Sequence, residues 1–204
     1  MEKKLANIFS TLFNPVLIPF YGSLIILFSD GYLSLLLPAQ ARLMILGIIV
    51  LMTVLMPAVT IFLMKKTKMI SSIRLEKREE RAVPFLATGF SFYLAYMLIK
   101  SFEIPGYYGL FLLGATLLIV LALVINSFWK ISIHMMALGG LTGLFIALSP
   151  FVFGVDEVFT YLLIFISGLT GFARLKLNVH TPAQVYTGWF TGVAFMFGLF
   201  QLLV

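Results

Sequence analysis

The chain has 204 residues, of which 61% are hydrophobic and 11% are charged, whereas a soluble domain has roughly 45–50% apolar and about 25% charged residues. This composition excludes an ordinary soluble domain and predicts an integral membrane protein, and the absence of cysteine excludes thiol catalysis, disulfides and cysteine metal sites. The net charge of +6 does not indicate nucleic-acid binding, because Lys and Arg beside membrane spans commonly set the orientation of the chain.

Seven apolar stretches follow one another along the chain. A transmembrane helix needs about 20 mainly apolar residues, so we predict an all-α, polytopic transmembrane helix bundle. The candidate spans lie at about residues 12–36, 42–64, 84–101, 107–127, 132–152, 156–173 and 182–203. The stretch after Pro84 is short, which leaves six or seven spans. The first stretch is longer than the roughly 7–15-residue core of a signal peptide and is expected to remain uncleaved. Nothing marks a second domain, so residues 1–204 are predicted to form a single membrane domain.

The basic residues are distributed unevenly between the two sides of this bundle. Alternation of the spans places the N-terminus and the polar breaks at 65–83, 128–131 and 174–181 on one side. Only Arg42 and Lys100 fall on the other side, so 12 of the 14 Lys and Arg residues share a side with the three breaks. The positive-inside rule places that side in the cytoplasm. The sequence thus predicts a multi-pass protein of a bacterial-type inner (plasma) membrane whose three polar breaks converge on one face.

The break at 174–181 carries the first candidate site residues. Thr181-Pro182-Ala183-Gln184 is a capping-box pattern that predicts a helix start. It places His180 immediately before a helix N-terminus, where free backbone N–H groups and the helix dipole favour an anion. The alternative is that Arg174 and Lys176 are interfacial anchors and that Gln184 only caps the helix.

The other two breaks offer complementary groups. Ser132 and His134 stand at the predicted start of a span, where a hydroxyl and free N–H groups can hold phosphate oxygens and an imidazole can deliver a proton. The alternative there is a lone interfacial histidine. Arg74 and Arg81 are seven residues apart, which on a helix places two guanidinium groups on one face. The alternative for that segment is a solvated basic loop with i,i+4 pairing.

Taken in order, the three segments resemble the type 2 phosphatidic acid phosphatase superfamily, which includes the vanadium haloperoxidases. The pattern of that family has Lys-x6-Arg-Pro, then Pro-Ser-Gly-His, then Ser-Arg-x5-His-x3-Asp. The matching residues in this chain are Arg74-x6-Arg81 with Pro84, Ser132-x-His134, and Arg174-x5-His180-x3-Gln184. The resemblance covers about residues 70–200, and the first two spans share only hydrophobicity with the family.

The resemblance implies a metal-independent hydrolase, with no cofactor, that removes phosphate from a lipid or prenyl phosphate. His180 would be the nucleophile that forms a phosphohistidine, and His134 would be the acid that protonates the leaving oxygen. The remaining residues would bind the phosphate through three arginines and one hydroxyl: Arg74, Arg81, Arg174 and Ser132. Such a cationic clamp stabilises charge on the transferring phosphoryl group. Many relatives act on the outer face of the inner membrane, which is opposite to the orientation that the charge distribution predicts.

Several positions depart from the family pattern. Arg74 stands in place of Lys, with Lys77 as an alternative first cation, while Ile133 replaces Gly and Ala173 replaces Ser. Gln184 replaces the Asp that would orient the nucleophile. Gln can accept a hydrogen bond from His180 and fix its tautomer, but it cannot neutralise an imidazolium, and the comparable loss in a serine-protease triad costs about 10⁴-fold.

These departures leave three interpretations open: a slow enzyme, a differently tuned subgroup, or a non-catalytic relative that binds lipid phosphates or serves assembly. A small transporter is disfavoured, because no ionisable residue lies deep within a predicted span and the sequence shows no inverted repeat. Gly188-x3-Gly192 and Gly168-x2-Gly171 are expected to serve close packing of helices.

Overall fold

The computed structural model describes residues 2–29, 35–73, 75, 77–102, 104–148 and 157–203. All regular structure within these residues is helical, which confirms the all-α prediction. The α-helices are α1 Glu2–Leu12, α2 Ile18–Phe28, α3 Ala39–Ile49, α4 Met56–Lys66, α5 Ala82–Lys100, α6 Gly106–Phe128, α7 Ile133–Leu148, α8 Glu157–Lys176 and α9 Pro182–Leu203. Shorter 3₁₀ or π segments precede or join several of them.

Among the described residues, six helical segments are long and apolar enough to cross a membrane, within the predicted range of six or seven spans. They are Glu2–Phe28, Ala39–Lys66, Glu79–Lys100, Gly106–Phe128, Glu157–Lys176 and Pro182–Leu203. The chain is therefore a multi-pass membrane protein. The stretch after Pro84, which the sequence marked as short, belongs to a segment of 22 residues. The short apolar helix is instead α7, which has 16 described residues.

The first span differs from its predicted bounds, because helix begins at Glu2 rather than near residue 12. It is interrupted at Asn14-Pro15. The Asn14 side chain accepts a hydrogen bond from the Val16 N–H at 3.2 Å, and Pro15 has no N–H with which to continue the preceding helix. Only Ala6 and Ser10 of α1 are buried, and they lie one turn apart on one face that packs against α8.

Helix α7 lies at the centre of the bundle. Twelve of its 16 residues are buried, and it packs against α2, α6, α8 and α9. Its contact with α9 is the most extensive one between any two described helices. Because α7 and α9 begin at Ile133 and Pro182, their first turns stand beside the second and third polar breaks.

Glycines allow α7 and α9 to approach backbone to backbone. A Cβ on Gly139 would collide with the carbonyl of Trp189, and one on Gly192 would collide with the carbonyl of Met136. The packing role predicted for Gly192 is therefore confirmed. Gly168 has no atom within 4 Å of the place of a Cβ, so the structure shows no packing requirement at that position.

Candidate anion-binding site

The three polar breaks meet at one end of the bundle, as the sequence predicted. Arg81 Nη1 donates to the Ile131 carbonyl at 3.3 Å and joins the first break to the second. The Ser132 N–H donates to the Gln184 carbonyl at 3.2 Å and joins the second break to the third. The charges of Arg81 and Arg174 act on both imidazoles. Residues far apart in sequence thus form one cationic cluster with two histidines.

Arg81 is a buried cation with an exposed fraction of only 3%. Its Nε donates to the Leu75 carbonyl at 2.8 Å, and Leu75 adopts a left-handed backbone conformation with φ 49°. No carboxylate of the described residues forms an ion pair with Arg81. Two carbonyls and the charge of Glu79 compensate this cation only in part, so a bound anion would stabilise it further.

The described part of the first break is not the continuous helix that the sequence predicted. Described residues between 67 and 78 form turns and bends, so the expectation of a helix through this segment is wrong. Arg74 itself lies outside the described residues. Lys77 is exposed and pairs with Glu80 at 3.5 Å, and it does not border the cavity described below.

Arg174 reaches a helix that the sequence did not connect with the site. Its Nη1 donates to the Ser10 hydroxyl of α1. Nearby, Lys176 pairs with Glu2 at 2.5 Å on the exposed surface, as an interfacial anchor would. Ser10 of the first span thus contacts one of the predicted phosphate-binding residues.

Gln184 fixes the tautomer of His180. Its Oε1 accepts the Thr181 N–H at 3.2 Å, while the Gln184 N–H donates to Thr181 Oγ1 at 3.4 Å, so the predicted capping box is confirmed. Because the atom that accepts the Thr181 N–H is an oxygen, the same atom can only accept from His180 Nδ1, at 3.0 Å. Nδ1 therefore carries the proton, and Nε2 keeps its lone pair.

The surroundings of His180 favour the neutral ring. Burial lowers the pKa of His180 to about 3; the hydrogen bond to Gln184 opposes this shift, and the charges of Arg174, Arg81 and Lys130 add to it. The imidazole is consequently uncharged at neutral pH, with its single proton on Nδ1. Its Nε2 is buried and has no hydrogen-bond partner among the described residues. A buried nitrogen with a free lone pair beside several cations is suited to nucleophilic attack on an anion.

Ser132 and His134 present two more buried polar atoms without protein partners. The Ser132 carbonyl accepts the Met136 N–H at 2.9 Å, which makes Ser132 the N-cap residue of α7. Its Oγ and His134 Nδ1 are both buried, and neither has a hydrogen-bond partner among the described residues. Leaving such groups unsatisfied costs about 1–3 kcal/mol each. A bound group that contacts them would remove this cost.

A cavity of about 580 Å³ leads from this cluster into the bundle. Its polar end is lined by side chains that can contact an anion: Ser10, Arg81, Lys130, His134, Arg174 and Asn178. Its other end is apolar and is lined by Phe85, Phe92, Phe111, Leu118, Ile119 and Met196. His180, Ser132 and Gln184 do not line the cavity, but Arg81, Lys130 and Arg174, whose charges act on His180, do line it.

Comparisons of the chain with protein-family models, with curated proteins and with solved structures found no match. Among the described residues, no group of three His, Cys, Asp or Glu side chains could hold a metal ion. The sequence reasoning missed Ser10, which lines the cavity. The signals that could have found Ser10 are the helix stop at Asn14-Pro15 and the small residues one turn apart on α1.

Proposed function

We propose that this protein is a membrane phosphatase related to the type 2 phosphatidic acid phosphatases, and that it removes phosphate from a lipid or prenyl phosphate. The observation that carries the proposal is the state of His180, a neutral imidazole whose Nε2 lone pair is free beside Arg81 and Arg174. Gln184 in place of a carboxylate is compatible with this role, because its amide oxygen holds the ring in the nucleophilic tautomer.

In the first step, His180 Nε2 attacks phosphorus, the N–P bond forms and the bond to the leaving oxygen breaks. His134 takes up a proton from solvent at Nδ1 when the phosphate brings its negative charge into the cluster, and it gives that proton to the leaving oxygen. Arg81 and Arg174 bind the equatorial oxygens and stabilise their charge. Covalent catalysis replaces one difficult displacement by two easier ones.

In the second step, water attacks the phosphorus of the phosphohistidine. His134, whose Nδ1 now has a lone pair, accepts a proton from the water. At the same time the N–P bond breaks and its electron pair returns to His180 Nε2. Phosphate leaves with the added oxygen, and both rings regain their starting protonation. Ser132 Oγ donates a hydrogen bond to a phosphate oxygen in both steps, because it is buried and has no partner among the described residues.

The shape of the cavity supports an amphiphilic substrate. The phosphate would bind Arg81, Lys130 and Arg174 at the polar end, and the hydrocarbon would follow the aromatic and aliphatic wall between the helices. The excess of basic residues on the site side favours a cytoplasmic site in a bacterial-type inner membrane, although many proteins of the resembling family work on the outer face.

Phosphate release by detergent-purified protein tests the proposal. The panel is phosphatidic acid, phosphatidylglycerophosphate and a prenyl diphosphate, with His180→Ala beside wild type. Thr187→Ala is the matched control, because Thr187 lies on the same helix, is exposed and bonds only to the Ala183 carbonyl among the described residues. We expect release by wild type and by the control and its loss in His180→Ala. Full activity of His180→Ala would contradict the role of His180 as nucleophile.

A second candidate function is binding of lipid phosphates without hydrolysis, as part of an assembly. It is favoured by Gln184, which cannot neutralise the imidazolium that would form at His180 during a catalytic cycle. It predicts lipid-phosphate binding that requires Arg174, with no phosphate release from any substrate or at any pH.

A further inference from the structure

Helix α1 brings one polar residue into the proposed site. Among the residues of this amphipathic helix, Ser10 is 8% exposed, whereas Leu5, Ile8 and Leu12 are about half exposed or more. The opposite end of α1 is tied to the end of α8 by the ion pair between Glu2 and Lys176 at 2.5 Å. Ser10 is therefore held at the cluster by polar contacts at both ends of its helix.

Two different atoms of Ser10 contact two different site residues. Its hydroxyl oxygen accepts a hydrogen bond from Arg174 Nη1. Its backbone carbonyl lies 3.1 Å from His134 Nε2, nearer than its hydroxyl oxygen, which lies 3.5 Å from the same nitrogen. A carbonyl can only accept, so Nε2 of His134 carries a proton and Nδ1 is left with the lone pair.

The interruption of the first span explains why this carbonyl is free. Within a continuing helix it would accept the N–H of Asn14, but that N–H bonds to the Thr11 carbonyl at 3.3 Å. The next residue, Pro15, has no N–H. The Ser10 carbonyl is thus an unsatisfied group at a helix C-terminus, where partial negative charge favours a proton donor, and His134 satisfies it.

The two histidines consequently have opposite tautomers. His180 is protonated at Nδ1 through Gln184, and His134 is protonated at Nε2 through Ser10. His180 Nε2 and His134 Nδ1 are buried and have no hydrogen-bond partner among the described residues. Each has a free lone pair, which can form a bond to a bound group or accept a proton. This is the pairing that a nucleophile and a proton-transfer group require, and each is set by a contact on the far side of its ring.

We propose that Ser10 is a positioning residue of the site: its carbonyl sets the tautomer of His134, and its hydroxyl holds the Arg174 guanidinium in place for the phosphate. The role in catalysis rests on the proposed phosphatase function. The contact with His134 can be tested without it.

The first arm of the test measures kinetics with the purified full chain. Ser10→Ala removes the acceptor of Arg174, and the loss of a hydrogen bond to a charged group predicts about a tenfold rise in KM and in the inhibition constant of inorganic phosphate. We expect kcat to change less than about threefold, because the contacts of His180 are untouched and His134 keeps the nearer contact with the carbonyl of residue 10. Ser10→Thr keeps the hydroxyl and should restore both constants. Thr60→Ala, which removes a hydroxyl bonded to its own helix in α4, should leave them unchanged.

The second arm reads the tautomers directly. The chain has only two histidines, so a nitrogen NMR spectrum of isotope-labelled histidine contains two rings, assigned with His180→Gln. We expect one ring protonated at Nε2 and the other at Nδ1 in the wild type, whatever its activity. A kinetically normal Ser10→Ala, or His134 protonated at Nδ1, would overturn the proposal. If the wild type releases no phosphate, the proposed function fails and the spectrum alone decides whether Ser10 positions His134.

Discussion

Replacing Gln184 by Met removes a hydrogen-bond acceptor while it keeps the length of the side chain. In the wild type, Gln184 Oε1 accepts from His180 Nδ1 at 3.0 Å and from the Thr181 N–H at 3.2 Å. Loss of the second bond weakens the helix cap by about 1 kcal/mol. Loss of the first removes a hydrogen bond to a ring that becomes positively charged during the reaction, which is worth about 1.5–3 kcal/mol. We therefore expect kcat/KM to fall by about 10- to 100-fold.

Gln184→Glu is the matched opposite change, because it retains the capping box and adds a negative charge next to His180 Nδ1. The pKa of His180, about 3 in the wild type, should rise by roughly 1–3 units because an opposite charge within a few ångströms favours the imidazolium. Steady-state phosphate release and NMR titration of the ring measure the two effects. A Gln184→Met variant with wild-type kcat/KM, or a Gln184→Glu variant whose His180 titrates at the wild-type pH, would refute the reasoning.

Three further changes have expected outcomes. Arg81→Gln should lower kcat/KM by about 100-fold or more in the phosphate-release assay, since it removes a buried cation from the clamp. Lys77→Gln on the exposed loop should stay within about twofold, and equal effects of the two changes would contradict the placement of Arg81. Because the folded state holds His180 with a pKa of about 3 against the ordinary value of 6.5 for histidine, the unfolded chain binds the proton more readily between those pH values. The free energy of unfolding should therefore fall as pH decreases through that window, by roughly 1.4 kcal/mol per pH unit at most. His180→Gln should make the melting temperature depend less on pH, and an equally steep dependence in the variant would count against a buried neutral ring. Gly139→Ala should lower the free energy of unfolding by about 1–3 kcal/mol because its Cβ meets a backbone carbonyl. Gly168→Ala, with open space around it, should not lower the melting temperature. Similar melting temperatures for both variants would contradict a tight contact at Gly139.

Much of the fold could be predicted because membrane helices leave a strong signal in composition. The apolar stretches gave the helix class and nearly all the span positions, and Thr181-Pro182-Ala183-Gln184 gave the start of α9 to the residue. The central position of α7 could not be read in this way. Its hydropathy resembles that of its neighbours, and only the glycines that face α9 distinguish a buried helix from one that faces lipid.

The site was partly predictable for a related reason. His134, Arg174 and His180 are rare polar residues at the ends of apolar stretches, so alternation of the spans brings them to one face. Ser10 could not be found by that reasoning, because it precedes the first predicted span, which was expected to begin at about residue 12. Its contact with His134 uses a backbone carbonyl that the helix stop before Pro15 leaves free. Because every residue type has such a carbonyl, the identity of residue 10 gives no signal for this contact.

The measurement that tests the central claim most directly is a rapid-quench experiment with a substrate labelled in the phosphoryl group that is transferred. The account predicts that label appears on the wild-type protein before free phosphate accumulates, that it survives alkali and is lost in acid as an N–P bond requires, and that His180→Ala carries none. Release of labelled phosphate without labelled protein at any quench time, or equal labelling of His180→Ala, would contradict a phosphohistidine at His180.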